Sequence, residues 1–372
     1  MEIPKDREQA VKRITEARDN ARKFALTPHL LMMNGCDHEP VQIDLPQILK
    51  EAAADMEEDV LVHSNFRDYI AAVRPYKDTF PVYKGELYGQ YSNGAYMLLN
   101  TASSRMYLKQ ANHIAQLLLE KWAEPVGVMS WMQGDIYRQD YLYKAWKILL
   151  ENHPHDSICG CSGDMVADDM VYRYRRVTDI AEELVAREKK ALCAKIDTSA
   201  APEGALAFVV FNPLLWDAAD TVSAVLDFPE DLAIKAEEIR IVDGSGKVYP
   251  ARVKALGRTF RYILPDDAFR QFVFVNSFQV DFLAKDLCGL GYSTFYAVQA
   301  AGSEMPTDLS YGENYAENAH IRVDFHEDGS FALTDKKNGR VYDRCNVLED
   351  SGDAGEEYNY VPAKNNQILL ST

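Results

Sequence analysis

The apolar period of this chain changes once, and that change limits what the chain can fold into. From about residue 103 to 195 apolar side chains recur every three or four positions, whereas after Thr198 they fall in short alternating runs. The first stretch reads as three helices, about 103–122, 135–152 and 164–195, with short connections between them. Each helix has an apolar stripe to bury, as Met106, Leu108, Ala111, Ile114, Ala115, Leu118 and Trp122 show for the first, so an antiparallel three-helix bundle is predicted. The linker that follows Thr198 is rich in Ala, Pro and Gly, and beyond it 207–211, 221–228, 239–242, 272–275, 320–325 and 330–334 are strand candidates between turn residues.

The first 78 residues have a different grammar. Residues 6–24 are predicted to form an amphipathic helix with Ala10, Val11, Ile14, Ala17, Ala21 and Phe24 on one face. The apolar run 29–33 has the pattern of a strand buried on both faces of a parallel sheet, and it ends in Asn34-Gly35-Cys36-Asp37-His38. Asp44 is placed to cap the next helix, and Pro46 suits its first turn. A second short strand is expected at 60–63, with Ser64 capping a further helix. Two strands are too few to close any layer architecture, so this α/β segment is expected to continue upstream. The predicted domains are 1–78 (the C-terminal part of an α/β domain), 79–197 (helical) and 198–372 (β).

A net charge of −17 repels phosphate backbones and anionic lipid, which argues against nucleic-acid and membrane-surface work. No apolar run approaches the roughly 20 residues of a membrane-spanning helix, and the N-terminus has no signal-peptide core. Six cysteines lie scattered without a CxxC pair, which suits free thiols in a reducing compartment. The expected location is the cytoplasm.

Chemistry concentrates between Tyr141 and Asp164. Leu142, Ala145, Trp146, Leu149 and Leu150 give a helix with one buried face, and Pro154 stops it. His153 and His155 are predicted to leave in extended backbone with both imidazoles on one side. Asp156, Cys159 and Cys161 follow, so two imidazoles, a carboxylate and two thiols sit within nine residues. Taken alone, this spacing fits a polar interhelical turn as well as it fits a metal or redox site built from His153, His155, Cys159 and Cys161.

The segment AWKILLENHPHDSICGCS, from Ala145 to Ser162, resembles that of family 38 glycoside hydrolases, the zinc-dependent α-mannosidases. HLLMMNGCDHEP from His29, Gly85-Glu86-Leu87 through Lys109, Val210 through Leu214, and Glu349 through Tyr360 are similar to further segments of that family, in the same order. The resemblance implies retaining hydrolysis of terminal α-mannosides, with Asp37 as general acid/base and His155 as a zinc ligand. His38, Asp156 and Tyr358 would face the substrate. It also implies that the β region is part of an antiparallel sandwich. In the family the nucleophile and further zinc ligands come from an N-terminal segment with a His-x-Asp motif; here that spacing occurs at His326-Glu327-Asp328, in the β region, and not in the N-terminal residues. The chain is therefore expected to lack the N-terminal part of the catalytic domain, and by itself to bind zinc poorly and hydrolyse no α-mannoside. A non-catalytic carbohydrate-binding or assembly fragment stays open as an alternative, as do small mannosides such as mannosylglycerate as substrate and a homo-oligomeric state.

Overall fold

The computed structural model describes residues 2–35, 38–85, 98–199, 201–265, 267–301 and 307–371. The chain divides into two units, Met1–Leu87 and Tyr88–Thr372.

In the first unit, helix α1 (Arg7–Arg22) starts where the Asp6 side chain accepts the Gln9 N–H at 2.9 Å. It packs Ala10 and Ile14 against Ile48 and Ala52 of α2 (Leu45–Ala53), with Met56 closing the small core. Pro46 lies in the first turn of α2 as expected, but Asp44 makes no cap; its carboxylate pairs with Lys5 at 2.8 Å instead. Helix α3 (Phe66–Val73) is capped by Asn65, which accepts the Asp68 N–H at 3.1 Å, and not by Ser64. The two expected strands are a correction: neither 29–33 nor 60–63 joins a ladder among the described residues. A strand exists only where a neighbour supplies N–H and C=O groups. With no described neighbour to pair with, Met33, Val60 and Val62 stand 65%, 89% and 69% exposed.

The second unit opens with a 3-10 turn, Leu99–Ala102, and then α4 (Met106–Leu117). Its helix does not end near 122 as expected, but passes through a π turn, Leu118–Ala123, into α5 (Glu124–Met132). Pro125 explains the π turn. In a regular helix its ring would meet the carbonyl of Lys121 four residues back. The wider turn, in which Glu124 N–H reaches Leu119 O, leaves room for it. Helices α6 (Gln139–Leu150), the single turn α7 (His155–Ile158) and the 30-residue α8 (Asp164–Cys193) follow. Leu108 and Leu119, Ala145 and Leu149, and Met170 and Val177 bring the three long helical stretches into one core. On α8, Glu188 is 2% exposed and bound by Arg138 at 2.5 Å.

The β region runs β1 (Leu206–Asn212), β2 (Ala218–Pro229), β3 (Ile239–Asp243), β4 (Val248–Tyr249), β5 (Ala251–Ile263), β6 (Gln271–Leu287) and β7 (Gly291–Gln299). These form two antiparallel sheets, β1-β7-β3-β4 and β2-β6-β5. Phe278, Val280 and Phe282 of one sheet meet Ile239, Ile241 and Phe295 of the other in a single core. A third sheet holds β8 (Ser310–Tyr311), β9 (Tyr315–Glu317), β10 (Ile321–Phe325), β11 (Phe331–Asp335) and β12 (Arg340–Cys345). The short pair β13 (Glu349–Asp350) and β14 (Leu369–Leu370) brackets the last loop. Strands β5, β7 and β12 escaped the sequence reading; in β5 a bulge at Gly257, with φ 88°, breaks the alternation.

Helices and sheets share a smaller core in which Val126, Met129 and Leu192 lie with Trp122 and Phe211 of β1. Lys189 sits 4.3 Å above the Trp122 ring and 5.6 Å above Phe211, and burial pushes its ammonium below the usual lysine range.

Candidate active site

The turn after α6 is built by Pro154. Its extended backbone, φ −48° and ψ 140°, ends one helix, and its carbonyl then accepts the N–H groups of Ser157 at 2.9 Å and Ile158 at 3.1 Å to start α7. His155 is therefore a helical residue, and the expectation of an extended His-Pro-His run fails here. The two imidazoles diverge as a result. His153 Nε2 lies 2.7 Å from Asn112 Oδ1 of α4, and burial lowers its basicity. The His155 side chain is 90% exposed, with Nε2 3.5 Å from Asp156 Oδ1. Cys161 folds back so that its thiol lies 3.5 Å from Asp156 O and 3.6 Å from Oδ1.

Gly160 permits this return. Its φ is +80°, and a Cβ there would stand 2.8 Å from Ser104 O. Gly160→Ala is expected to cost about 2 kcal/mol, by combining left-handed strain with a backbone clash. Urea unfolding measures it, and a change below a few tenths would show that the turn relaxes freely.

The acidic loop between β13 and β14 turns its carboxylates inward. Asp353 Oδ1 accepts the N–H groups of Gly355 at 2.8 Å and Val361 at 3.0 Å, and these amides hold its carboxyl below the usual range. Glu356 accepts the Tyr358 N–H at 3.2 Å and the Asn359 amide at 3.0 Å. Tyr358 is thereby presented to the helical turn, with its hydroxyl beside the Cys161 thiol. The interaction with that thiol, burial and nearby Asp156 push the phenol up to about 12.

Of the residues singled out in the sequence, Asp156, His155 and Tyr358 belong to the second unit, and Tyr358 lies against the Asp156–Cys161 turn. His38 belongs to the first unit, in a left-handed conformation with φ 62°. Asp37 lies outside the described residues. Cys161 as partner of Tyr358 and Asn112 as partner of His153 carried no local signal. Among the described residues no group of three or more His, Cys, Asp or Glu side chains is arranged to hold a metal ion. A catalytic zinc takes three protein ligands. His155 with Asp156 gives at most one nitrogen and one carboxylate, so the described donors by themselves do not fit the ion.

Residues 98–192 match the family model described as alpha mannosidase middle domain, and 203–299 that of glycosyl hydrolases family 38 C-terminal domain 1, which together take in more than half of the chain. The chain belongs to glycoside hydrolase family 38. Within the family, an α-mannosidase from Enterococcus faecalis resembles it with a TM-score of 0.70 and 34% identity, over all of this chain and 44% of that one. A second Enterococcus faecalis protein in glycosyl hydrolase family 38 gives a TM-score of 0.66 at 30% identity, over 99% of this chain and 44% of its own. A curated relative from Halalkalibacterium halodurans, "Putative mannosylglycerate hydrolase", is 33% identical over 96% of this chain and 42% of its own length. The chain thus spans less than half the length of the family-38 relatives it matches.

Proposed function

We propose that this chain supplies the general acid and the sugar-facing turn and loop of a zinc-dependent, retaining α-mannosidase acting on terminal α-mannosides. The observation that carries the reading is that the Tyr358 loop and the Asp156–Cys161 turn are held to one short segment, Asn100 N–H donating to Tyr358 O at 3.1 Å and Arg105 Nε to Gly160 O at 2.9 Å, so two segments far apart in sequence converge. Asp156, 60% exposed, is free to accept hydrogen bonds from sugar hydroxyls. The Tyr358 ring offers an apolar face to sugar C–H groups and a hydroxyl at its edge. Asp37 protonates the leaving oxygen and then activates water in the second step, as one of the two carboxyl groups a retaining enzyme needs. His155 would give zinc one nitrogen, and the remaining ligands and the nucleophile would have to come from groups outside the described residues. When bound, zinc supplies a positive template for the sugar's vicinal hydroxyls.

The same reading takes 1–78 as part of the α/β catalytic domain, 79–197 as an antiparallel three-helix bundle and 198–372 as part of an antiparallel sandwich. No described helix is long and apolar enough to cross a membrane. The cytoplasm is proposed as its compartment on the unpaired thiols at Cys159, Cys161, Cys193, Cys288 and Cys345. Mannosylglycerate is the small mannoside to try first, given the name of the Halalkalibacterium relative.

The test is hydrolysis of an aryl α-mannoside and of mannosylglycerate by the native polypeptide that carries these residues. Asp156→Asn and Tyr358→Phe are each expected to lower kcat/KM by about 10- to 100-fold, the loss of one or two hydrogen bonds to a charged or desolvated site. Undiminished turnover in both variants would overturn the assignment. Mannoside binding without turnover in the unaltered protein would point to a carbohydrate-binding module instead.

A further inference from the structure

The helical turn and the acidic loop belong to parts of the chain roughly 200 residues apart, and one short segment touches both. Asn100 binds the loop through its backbone N–H and its side-chain amide nitrogen. Its N–H donates to Tyr358 O at 3.1 Å, and its Nδ2 donates to Asp353 Oδ2 at 3.2 Å and to Glu356 O at 3.0 Å. The Asn100 carbonyl accepts the N–H groups of Ser103 at 3.0 Å and Ser104 at 2.6 Å, which fixes the turn that follows. Ser104 Oγ then reaches Gly160 O at 3.4 Å, and Lys109 Nζ holds the Ser104 carbonyl at 2.5 Å.

Arg105 completes the connection. Its backbone is left-handed, φ 45° and ψ 53°, a region that a long side chain rarely enters. That backbone sends the guanidinium across to the helical turn. Nε donates to Gly160 O at 2.9 Å and Nη2 to Ser162 O at 3.1 Å, while Nη2 also lies 2.9 Å from Asp164 Oδ1. A planar fork spans two carbonyls and a carboxylate in a way that a lysine ammonium does not. The three contacts of its guanidinium hold Arg105 in this strained backbone.

We propose that Asn100 and Arg105 are positioning residues: the segment between them is a bracket that sets Tyr358 against Asp156 and Cys161. Only the purpose of that geometry rests on the mannosidase reading. The bracket itself is a claim about the loop and the turn, so it is tested without a sugar. Neither Asn100 nor Arg105 is placed here in contact with substrate.

The first readout is the rate at which iodoacetamide modifies Cys161, followed by mass spectrometry of its peptide in the unliganded protein. The second is amide hydrogen exchange across 353–361. Asn100→Ala is expected to raise Cys161 modification about tenfold, to the level seen in Tyr358→Phe, and to raise exchange in the loop by a similar factor. Asp353→Asn, which sets one amide against another, gives the same result should Asn100→Ala fail to fold. Combining Asn100→Asp with Asp353→Asn exchanges donor and acceptor, and should return Cys161 to within about threefold of the unaltered protein, the contact with Glu356 O remaining lost. Arg105→Lys keeps the charge but not the fork, and should raise exchange in 157–162. Unchanged Cys161 reactivity and unchanged loop exchange in both Asn100→Ala and Asp353→Asn would overturn the bracket. If both readouts move while mannoside turnover stays constant, the bracket stands and the mannosidase reading of the site falls.

Discussion

Replacing Arg138 by alanine is expected to destabilise the helical region by about 4 kcal/mol, close to a thousandfold in the folding equilibrium. Glu188 on α8 is 2% exposed, and its Oε1 is held by Arg138 Nη1 at 2.5 Å. Its Oε2 has no hydrogen-bond partner among the described residues, so removing Arg138 would strand a charge with nothing to balance it. The reverse change is expected to cost much less. Glu188→Ala removes the buried charge itself, and Arg138, 27% exposed, keeps water, the Ile136 carbonyl at 3.3 Å and Asp135 at 3.9 Å. Urea unfolding of both single variants and of Arg138→Leu with Glu188→Leu checks the asymmetry. Equal losses in the two single variants would mean that the pair acts through packing and not through charge.

Asp37→Asn is expected to slow cleavage of mannosides with poor leaving groups by about 10²- to 10⁴-fold, the usual contribution of a positioned proton donor. An aryl mannoside departs without needing a proton, so its glycosylation step should suffer far less. The comparison is made in the native polypeptide, with both substrates at kcat/KM. A loss of the same size on both substrates would assign Asp37 to binding or to architecture, and the acid would have to be sought elsewhere.

The helical elements were legible because each satisfies its own backbone, so the stripe of Leu142, Ala145 and Leu149 is enough to place α6. Local rules misled where a single residue had two outcomes. The helix expected to end near 122 continued through a π turn into Pro125, and Pro154, which pointed to extended backbone at His155, instead began a helical turn. Strands depend on distant partners. The runs 29–33 and 60–63 have strand composition and no described neighbour, whereas β5 has poor alternation and is secured by β6 over twelve paired positions. The candidate site divides the same way. His155, Asp156 and Tyr358 could be named from their own segments, but the Asn100 to Asp353 bond crosses 253 residues, and no window of sequence contains both ends.

The helix that begins after Arg105 and ends at Met132 has one further consequence. Its N-terminal end adjoins the bracket, and its far end, roughly 40 Å along the axis at 1.5 Å per residue, packs Val126 and Met129 beside Phe211 of β1. In mechanical terms it is a strut anchored at both ends, with the segment that holds the Tyr358 loop at one of them and β1 at the other. A displacement at β1 is expected to reach that loop through the strut and Asn100.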